Sequence, residues 1–308
     1  METEISVAVP PKIVLLGAAG QLGRELQTAL TPLGEVVALT REQADLANLA
    51  AVKQLLHSLS PQIIVNAAAY TAVDRAESEP ELAEVLNAQL PLVLAAYAAE
   101  NHALLVDYST DYVFDGTKRS PWLESDNPNP LNIYGKTKLA GLRAIEASGC
   151  AYLVFRVTWL YSAEGANFPN TIMRLAFERD ELSVVCDQLG APTPVAWLAS
   201  VTSECIAQVL ADRTKCGLYN LVPAGGISWY EFAKEVVRFA KDRGAKLKLD
   251  PDNIKAVPTS AYPTPARRPA NSMLDTTRLK TTFAILPPHW RSLFRSQYNL
   301  ELKTAIKD

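Results

Sequence analysis

Tyr134 and Lys138 bracket the pentapeptide Tyr134-Gly-Lys-Thr-Lys138. Residues four apart on a helix share a face, so a phenol and an ammonium would sit one turn apart there. A tyrosine with an ordinary pKa of about 10 is a poor proton shuttle at neutral pH, and a neighbouring ammonium is expected to lower that value. The pair then reads as a general acid for a carbonyl oxygen that is receiving hydride. Tyr-x-x-x-Lys also recurs by chance, so the reading needs companions.

Two are present. Tyr108-Ser-Thr-Asp-Tyr-Val-Phe-Asp-Gly116 follows an apolar run, and Thr110 lies 24 residues before Tyr134. Hydroxyls at the carboxyl end of a parallel strand face the crevice where α/β folds bind ligands. Thr110 can therefore hydrogen-bond and orient a substrate oxygen. The second companion is Gly17-Ala-Ala-Gly20-Gln21-Leu22-Gly23, which stands between the first apolar run and the first helical stretch. Glycines there let the backbone approach a pyrophosphate, and the helix dipole favours negative charge.

Thr40-Arg41 follows the second run, where NAD-selective proteins often carry an acid for the ribose hydroxyls. A guanidinium suits a 2′-phosphate, so Arg41 favours NADPH over NADH. Asp45 and Leu46 could frame the adenine, and the small residues of Asn66-Ala-Ala-Ala69-Tyr70-Thr71 would let the cofactor lie across the third strand.

The elements that must position these groups alternate along the chain. Lys12-Ile-Val-Leu-Leu16 reads as a buried strand, with a helix from about Gln21. Further apolar runs stand at Glu35 to Ala38, Gln62 to Val65, Ala103 to Val106, Tyr152 to Phe155 and Leu182 to Val185, interleaved with helical stretches such as Glu81 to Glu100. That alternation predicts an α/β fold, a Rossmann-type doubly wound parallel sheet with a smaller C-terminal α/β substrate lobe. Residues 12–165 and 186–222 are assigned to the NAD(P)-binding domain, and 166–185 with 223–308 to the lobe. Pro223-Ala-Gly-Gly226 is a loop, Ser228 an N-cap, and Trp229 to Arg243 an amphipathic helix. Val257-Pro-Thr-Ser-Ala-Tyr-Pro-Thr-Pro-Ala-Arg-Arg-Pro269 has too many prolines for an interior element and must cross a surface or cleft as an extended loop. Residues 1–11 read as a disordered tail, neither signal peptide nor anchor.

Bulk properties narrow the rest. With 308 residues, 48% of them hydrophobic, the chain can bury a large core. A net charge of -3 with mixed signs gives no footprint for nucleic acid or anionic membrane, so an anionic ligand needs a local site. Cys150, Cys186, Cys205 and Cys216 form no C-x-x-C pair, and His57, His102 and His289 are scattered. Neither zinc nor a disulfide framework is expected, and the natural setting is the reducing cytoplasm.

Gly17 to Gly23, Asn66 to Glu77, Ser109 to Gly116, Pro130-Leu-Asn-Ile-Tyr-Gly-Lys-Thr-Lys138 and Asp187-Gln-Leu-Gly-Ala-Pro-Thr193 occur in that order, followed by Val257 to Ala266 and Arg268-Pro-Ala-Asn-Ser272. On these residues the chain resembles the dTDP-4-dehydrorhamnose reductases, a family of extended short-chain dehydrogenase/reductases, over nearly its whole length from Lys12. The resemblance implies reduction at C4 of dTDP-6-deoxy-L-lyxo-4-hexulose to dTDP-L-rhamnose with NADPH or NADH. It implies Tyr134 as proton donor, Lys138 as its tuner and a grip on the nicotinamide ribose, with the turn Gly17 to Gly23 and Tyr108 at the cofactor. It also implies Thr110, with Asp111 beside it, and Trp159 in contact with the sugar nucleotide. Arg268 and the proline-rich loop are expected to close over the diphosphate.

The chain departs from the family in two places. Members carry an acid where Thr40 stands, which weighs against NADH. Some hold Mg²⁺ at a dimer interface through two glutamates; Glu25 matches one position, but Ala196 stands at the other, so the resemblance does not carry the metal, and a homodimer stays open. Two other readings belong beside it. A sugar-nucleotide dehydratase or epimerase would place an Asp-Glu pair where this chain has Asp111-Tyr112. A regulatory subunit like that of methionine adenosyltransferase departs from Ser-Thr-Asp and lacks the tryptophan, both of which this chain keeps.

Overall fold

A computed structural model describes residues 10–298; most of the expected tail, and residues 299–308 of the expected lobe, lie outside that span. The first apolar run forms β1 (Lys12–Leu16), followed directly by helix α1 (Gln21–Ala29). Then come β2 (Glu35–Leu39), β3 (Ile63–Asn66), β4 (Leu104–Thr110) and β5 (Ala151–Val157), with a further strand at Gly217–Asn220. These six form one parallel sheet in the order Gly217–Asn220, β5, β4, β3, β1, β2. The order reverses between β1 and β3, and ligands of open α/β sheets bind outside the carboxyl ends of the strands at such a reversal.

Both faces of the sheet are covered, which is why its strands read as continuous apolar runs instead of alternating ones. On one face α1, the helix Val195–Ala211 and the residues Leu279, Phe283 and Leu293 pack on Ile13, Leu15 and Phe155. On the other, Leu90, Leu94, Ala95 and Ala98 pack with Leu139, Leu142 and Ile145 on Val14 and Leu105. The helix Pro80–Glu100 is long and apolar enough to cross a membrane by length and composition alone. Here Leu90, Leu94, Ala95, Tyr97 and Ala98 are buried in the sheet's cluster, whereas Leu82 and Leu92 stay exposed.

A third cluster gathers Ile172, Met173, Phe232, Val236, Phe239, Trp290 and Phe294 away from the sheet. Its helix Trp229–Asp242 begins with a capping box, in which the Ser228 hydroxyl accepts from Glu231 N–H and the Glu231 carboxylate accepts from Ser228 N–H.

Leu182–Val185, within the range assigned to the lobe, pairs in parallel with Ile254–Val257 beside the third cluster and takes no place in the main sheet. A four-residue apolar run carries no information about its partner. The sheet's sixth position is taken by Gly217–Asn220, a run whose glycine and asparagine disguise it. The helix Thr277–Phe283, grouped with the lobe from sequence, turns Leu279 and Phe283 into the sheet's own cluster.

Candidate active site

The glycine turn sits at the reversal point. Gly17 has φ of 75°, and a Cβ there would lie 2.8 Å from Ala68 N in the segment after β3. A Cβ on Gly23 would lie 2.1 Å from Gly17 O. Only glycine permits this crossing of turn, helix and neighbouring segment. No side chain caps α1 and no acid stands in its first turn, so the N–H groups of that turn and the helix dipole are left to face an anion. A cavity of about 470 Å³ opens here, lined by Gly17, Gly20, Gln21, Leu22, Ala69, Thr71, Tyr108, Tyr134 and Lys138 among others. A second, of about 480 Å³, adjoins it through Gly17, Arg41, Ala69 and Thr71 and adds Asp45, Leu46 and Tyr70. The two share Gly17, Arg41, Ala68, Ala69 and Thr71, so Arg41 stands at their junction. Thr40 is not among the residues lining either cavity; its N–H donates to Gln43 Oε1 at 2.9 Å. Asp45 spends one carboxylate oxygen on Ala47 N–H, and the Tyr70 hydroxyl donates to Glu79.

Tyr134 and Lys138 ride on the helix Ile133–Ala147, whose first turn is fixed by the Asn132 side chain accepting from Gly135 N–H at 2.8 Å. Gly135 matters for distance: a Cβ there would stand 2.2 Å from Tyr112 O, so the helix can press against the segment carrying Thr110 and Asp111 only because the pentapeptide has glycine second. The rings of Tyr112 and Tyr134 meet edge-on at 5.5 Å. The Thr110 hydroxyl donates to Asp111 Oδ1 at 3.2 Å, accepts from Tyr112 N–H, and is within hydrogen-bonding reach of the Tyr134 phenol.

The electrostatics differ from the sequence expectation. Burial, assisted by the Asp111 and Asp107 carboxylates, pushes the Tyr134 phenol up to about 12, with the Thr110 hydrogen bond opposing. Lys138 does not lower it, because its Nζ is turned to Asp107 Oδ1 at 3.5 Å, with both side chains buried. Asp107 in turn accepts from Asn66 Nδ2 at 2.6 Å, and its carboxyl is held up by desolvation against the pull of Lys138. A lone aspartate inside the apolar run of β4 was the signal for this buried pair, since a charge is buried only with a partner. Asp111 is also buried: desolvation lifts it to about 7, and its Oδ2 has no hydrogen-bond partner among the described residues. Tyr108 lines the first cavity, yet its hydroxyl is spent on Thr202 Oγ1 at 3.0 Å.

A third cavity, of about 420 Å³, lies between the main sheet's loops and the third cluster, lined by Asp74, Phe168, Gln188, Trp229, Tyr262 and Arg268 with several aliphatic residues. Trp159, at the end of β5, has φ of 48° and stacks on Trp229 with ring centres 3.5 Å apart. A non-glycine residue in this region is a strained position of the kind that collects at ligand sites. Arg268 is not free as expected for a diphosphate ligand: its guanidinium is engaged by both carboxylate oxygens of Asp74, at 3.1 and 2.8 Å. Asp74, Trp229 and Phe168 were missed in the sequence, since their meeting depends on how the two bodies face one another. Glu25 is exposed on α1, and no group of three or more His, Cys, Asp or Glu arranged for a metal occurs among the described residues.

A parallel sheet with a glycine cradle at its reversal point and a Tyr/Lys helix beside it defines an oxidoreductase of the short-chain dehydrogenase/reductase class, built for a nicotinamide dinucleotide. Within that class, the family model described as RmlD substrate binding domain matches residues 11–300, and the chain belongs to that family. It is 47% identical over 299 residues to a dTDP-4-dehydrorhamnose reductase of Escherichia coli (strain K12), covering 96% of this chain and 99% of the relative. A solved dTDP-4-dehydrorhamnose reductase from Bacillus anthracis str. Ames, in complex with NADP, is 34% identical with a TM-score of 0.86, covering 94% of this chain and 99% of that one. One from Clostridium acetobutylicum is 36% identical with a TM-score of 0.85, covering 93% and 98%.

Proposed function

We propose that the protein acts as a dTDP-4-dehydrorhamnose reductase, converting the C4 keto group of dTDP-6-deoxy-L-lyxo-4-hexulose to the alcohol of dTDP-L-rhamnose. The observation that carries the reading is that Tyr134 and Lys138 line the glycine-turn cavity, with buried Thr110 beside Tyr134. The relatives that share the fold over more than nine-tenths of the chain support the substrate. The nicotinamide cofactor, when bound, supplies hydride to the carbonyl carbon. Arg41 at the cavity junction favours the 2′-phosphate of NADPH, with NADH as second choice.

Tyr134 donates its phenolic proton to the carbonyl oxygen. A phenol held up at about 12 is protonated throughout the neutral range, which suits a group that must give a proton. Thr110, beside it, orients the same oxygen, with Asp111 completing that wall. Lys138, one turn along the helix and paired with Asp107, which Asn66 holds in place, is set to grip the nicotinamide ribose. Trp229 lines the third cavity as an aromatic wall for the sugar nucleotide, with Trp159 stacked behind it. Asp111 is followed by Tyr112 and not by a second carboxylate, so elimination chemistry lacks its partner base. The free thiols Cys150, Cys186, Cys205 and Cys216 suit a cytoplasmic setting, and a homodimer is compatible with this site. Rapid mixing of enzyme, NADPH and the keto sugar tests the assignment. We expect stoichiometric formation of dTDP-L-rhamnose in the first turnover, and its absence with substrate and cofactor bound would refute the reading.

A further inference from the structure

Residues 258–269 form a strap that leaves the third cluster, passes over the third cavity and ends against the catalytic helix. Its start is tied within its own body: Thr259 donates from N and Oγ1 to the Asp187 carboxylate at 2.9 and 2.6 Å. Its middle carries Tyr262, 62% exposed, on the rim of the cavity. Its end crosses to the body built on the main sheet and is held there at two points. Asn132, the cap of the Tyr134 helix, donates from Nδ2 to Arg267 O at 2.7 Å. Asp74, on the short helix Val73–Ala76 after β3, accepts from Ala266 N–H at 3.2 Å and from both terminal nitrogens of Arg268.

Arg268 is shaped by this arrangement. Its Nη1 also donates to Thr264 Oγ1 at 2.5 Å and to Ala266 O at 3.1 Å, so one guanidinium ties two points of the strap to Asp74. It reaches Tyr112, whose ring packs on Tyr134. The Asp74 carboxyl is held below the usual carboxylate range, first by its hydrogen bond from Arg268. Bidentate arginine–carboxylate pairs are the strong and geometrically specific kind. This one is also partly shielded, with side-chain exposures of 39% and 23%.

We propose that Asp74 is a positioning residue for the sugar nucleotide: through Arg268 it latches the strap shut over the third cavity, while Asn132 ties the same strap to the Tyr134 helix. Asp74 lines the third cavity and neither of the two that adjoin the glycine turn, so its action is confined to the sugar-nucleotide side. The inference rests on the reductase reading for its substrate, but not for the latch itself.

The test compares Asp74→Asn, which keeps the shape and removes the charge, with Asp74→Glu, which keeps the charge. For Asp74→Asn the KM for the keto sugar nucleotide is expected to rise about tenfold, with kcat falling less and the KM for NADPH within about twofold, the scale of a broken half-shielded ion pair. Amide exchange across 258–269 should quicken in the unliganded protein, and Asp74→Glu should recover most of both effects. Thr264→Ala, which removes only one acceptor of Arg268, should shift KM in the same direction by less, and it keeps the test open should the Asp74 variants fold poorly. Unchanged or slower strap exchange would overturn the latch. A KM for the keto sugar that falls would overturn it too, since Asp74 would then be a competitor of the diphosphate for Arg268. The exchange measurement needs no substrate, so it judges the latch even if the reductase reading fails.

Discussion

Tyr134 sits in a wall of groups that all resist its ionisation, namely burial and the Asp111 and Asp107 carboxylates, with Thr110 alone easing it. Tyr134→Phe keeps the ring and removes the proton, so turnover should drop about 100- to 10,000-fold, the usual weight of general acid catalysis, while NADPH binding followed by fluorescence titration stays close to wild type. Asp111 allows a second prediction. Its folded carboxyl lies near 7, above the ordinary 3.8, so the folded state binds the extra proton between those values and stability falls as pH rises through that window. Each unit is worth about 1.4 kcal/mol, so the loss is a few kcal/mol at most. Urea unfolding at pH 5 and pH 8 should show the wild type losing stability relative to Asp111→Asn; parallel curves for the two proteins would contradict the assignment. The glycine turn, Tyr134 and Lys138, which line one cavity, were legible because their types and spacing are rare in combination. The direction of the Tyr134 shift was not legible: it depends first on burial and then on the Asp111 and Asp107 carboxylates, which only the folded sheet brings about.

At the scale of elements, glycines set the distances on which the site depends. Gly135 lets the Tyr134 helix approach Tyr112 O, and a methyl there would intrude to 2.2 Å of that oxygen. Gly135→Ala should cost about 1–3 kcal/mol of stability, the range of overpacking, and lower kcat by more than it changes either KM, as measured by urea unfolding and steady-state kinetics. β1 was read from sequence to the residue, because a buried parallel strand is an uninterrupted β-branched and apolar run followed at once by glycine. Leu182–Val185 has the same texture and pairs elsewhere, and Gly217–Asn220 lacks it yet closes the sheet. Local texture names a strand, whereas its neighbours are chosen by the rest of the chain.

In the whole molecule, the cofactor cavities lie along the sheet's carboxyl edge and the third cavity lies between that edge and the smaller core. Substitutions on the two sides should therefore act separately. Arg41→Ala is expected to raise the KM for NADPH about tenfold and leave that for NADH within about twofold, as loss of one phosphate contact implies. Trp229→Leu should do the reverse, raising the KM for the sugar nucleotide and sparing both cofactors, by weakening the stack on Trp159. The change of texture after Leu221 precedes the helix Trp229–Asp242 of the third cluster, but what that cluster faces was not legible. Asp74 and Arg268 are 194 residues apart, and nothing local marks them as partners. The central claim is tested most directly by following NADPH absorbance when the purified protein meets freshly prepared dTDP-6-deoxy-L-lyxo-4-hexulose. The account predicts rapid loss of absorbance with dTDP-L-rhamnose as the product, abolished in Tyr134→Phe; an unchanged signal from wild-type protein with NADPH bound would contradict it.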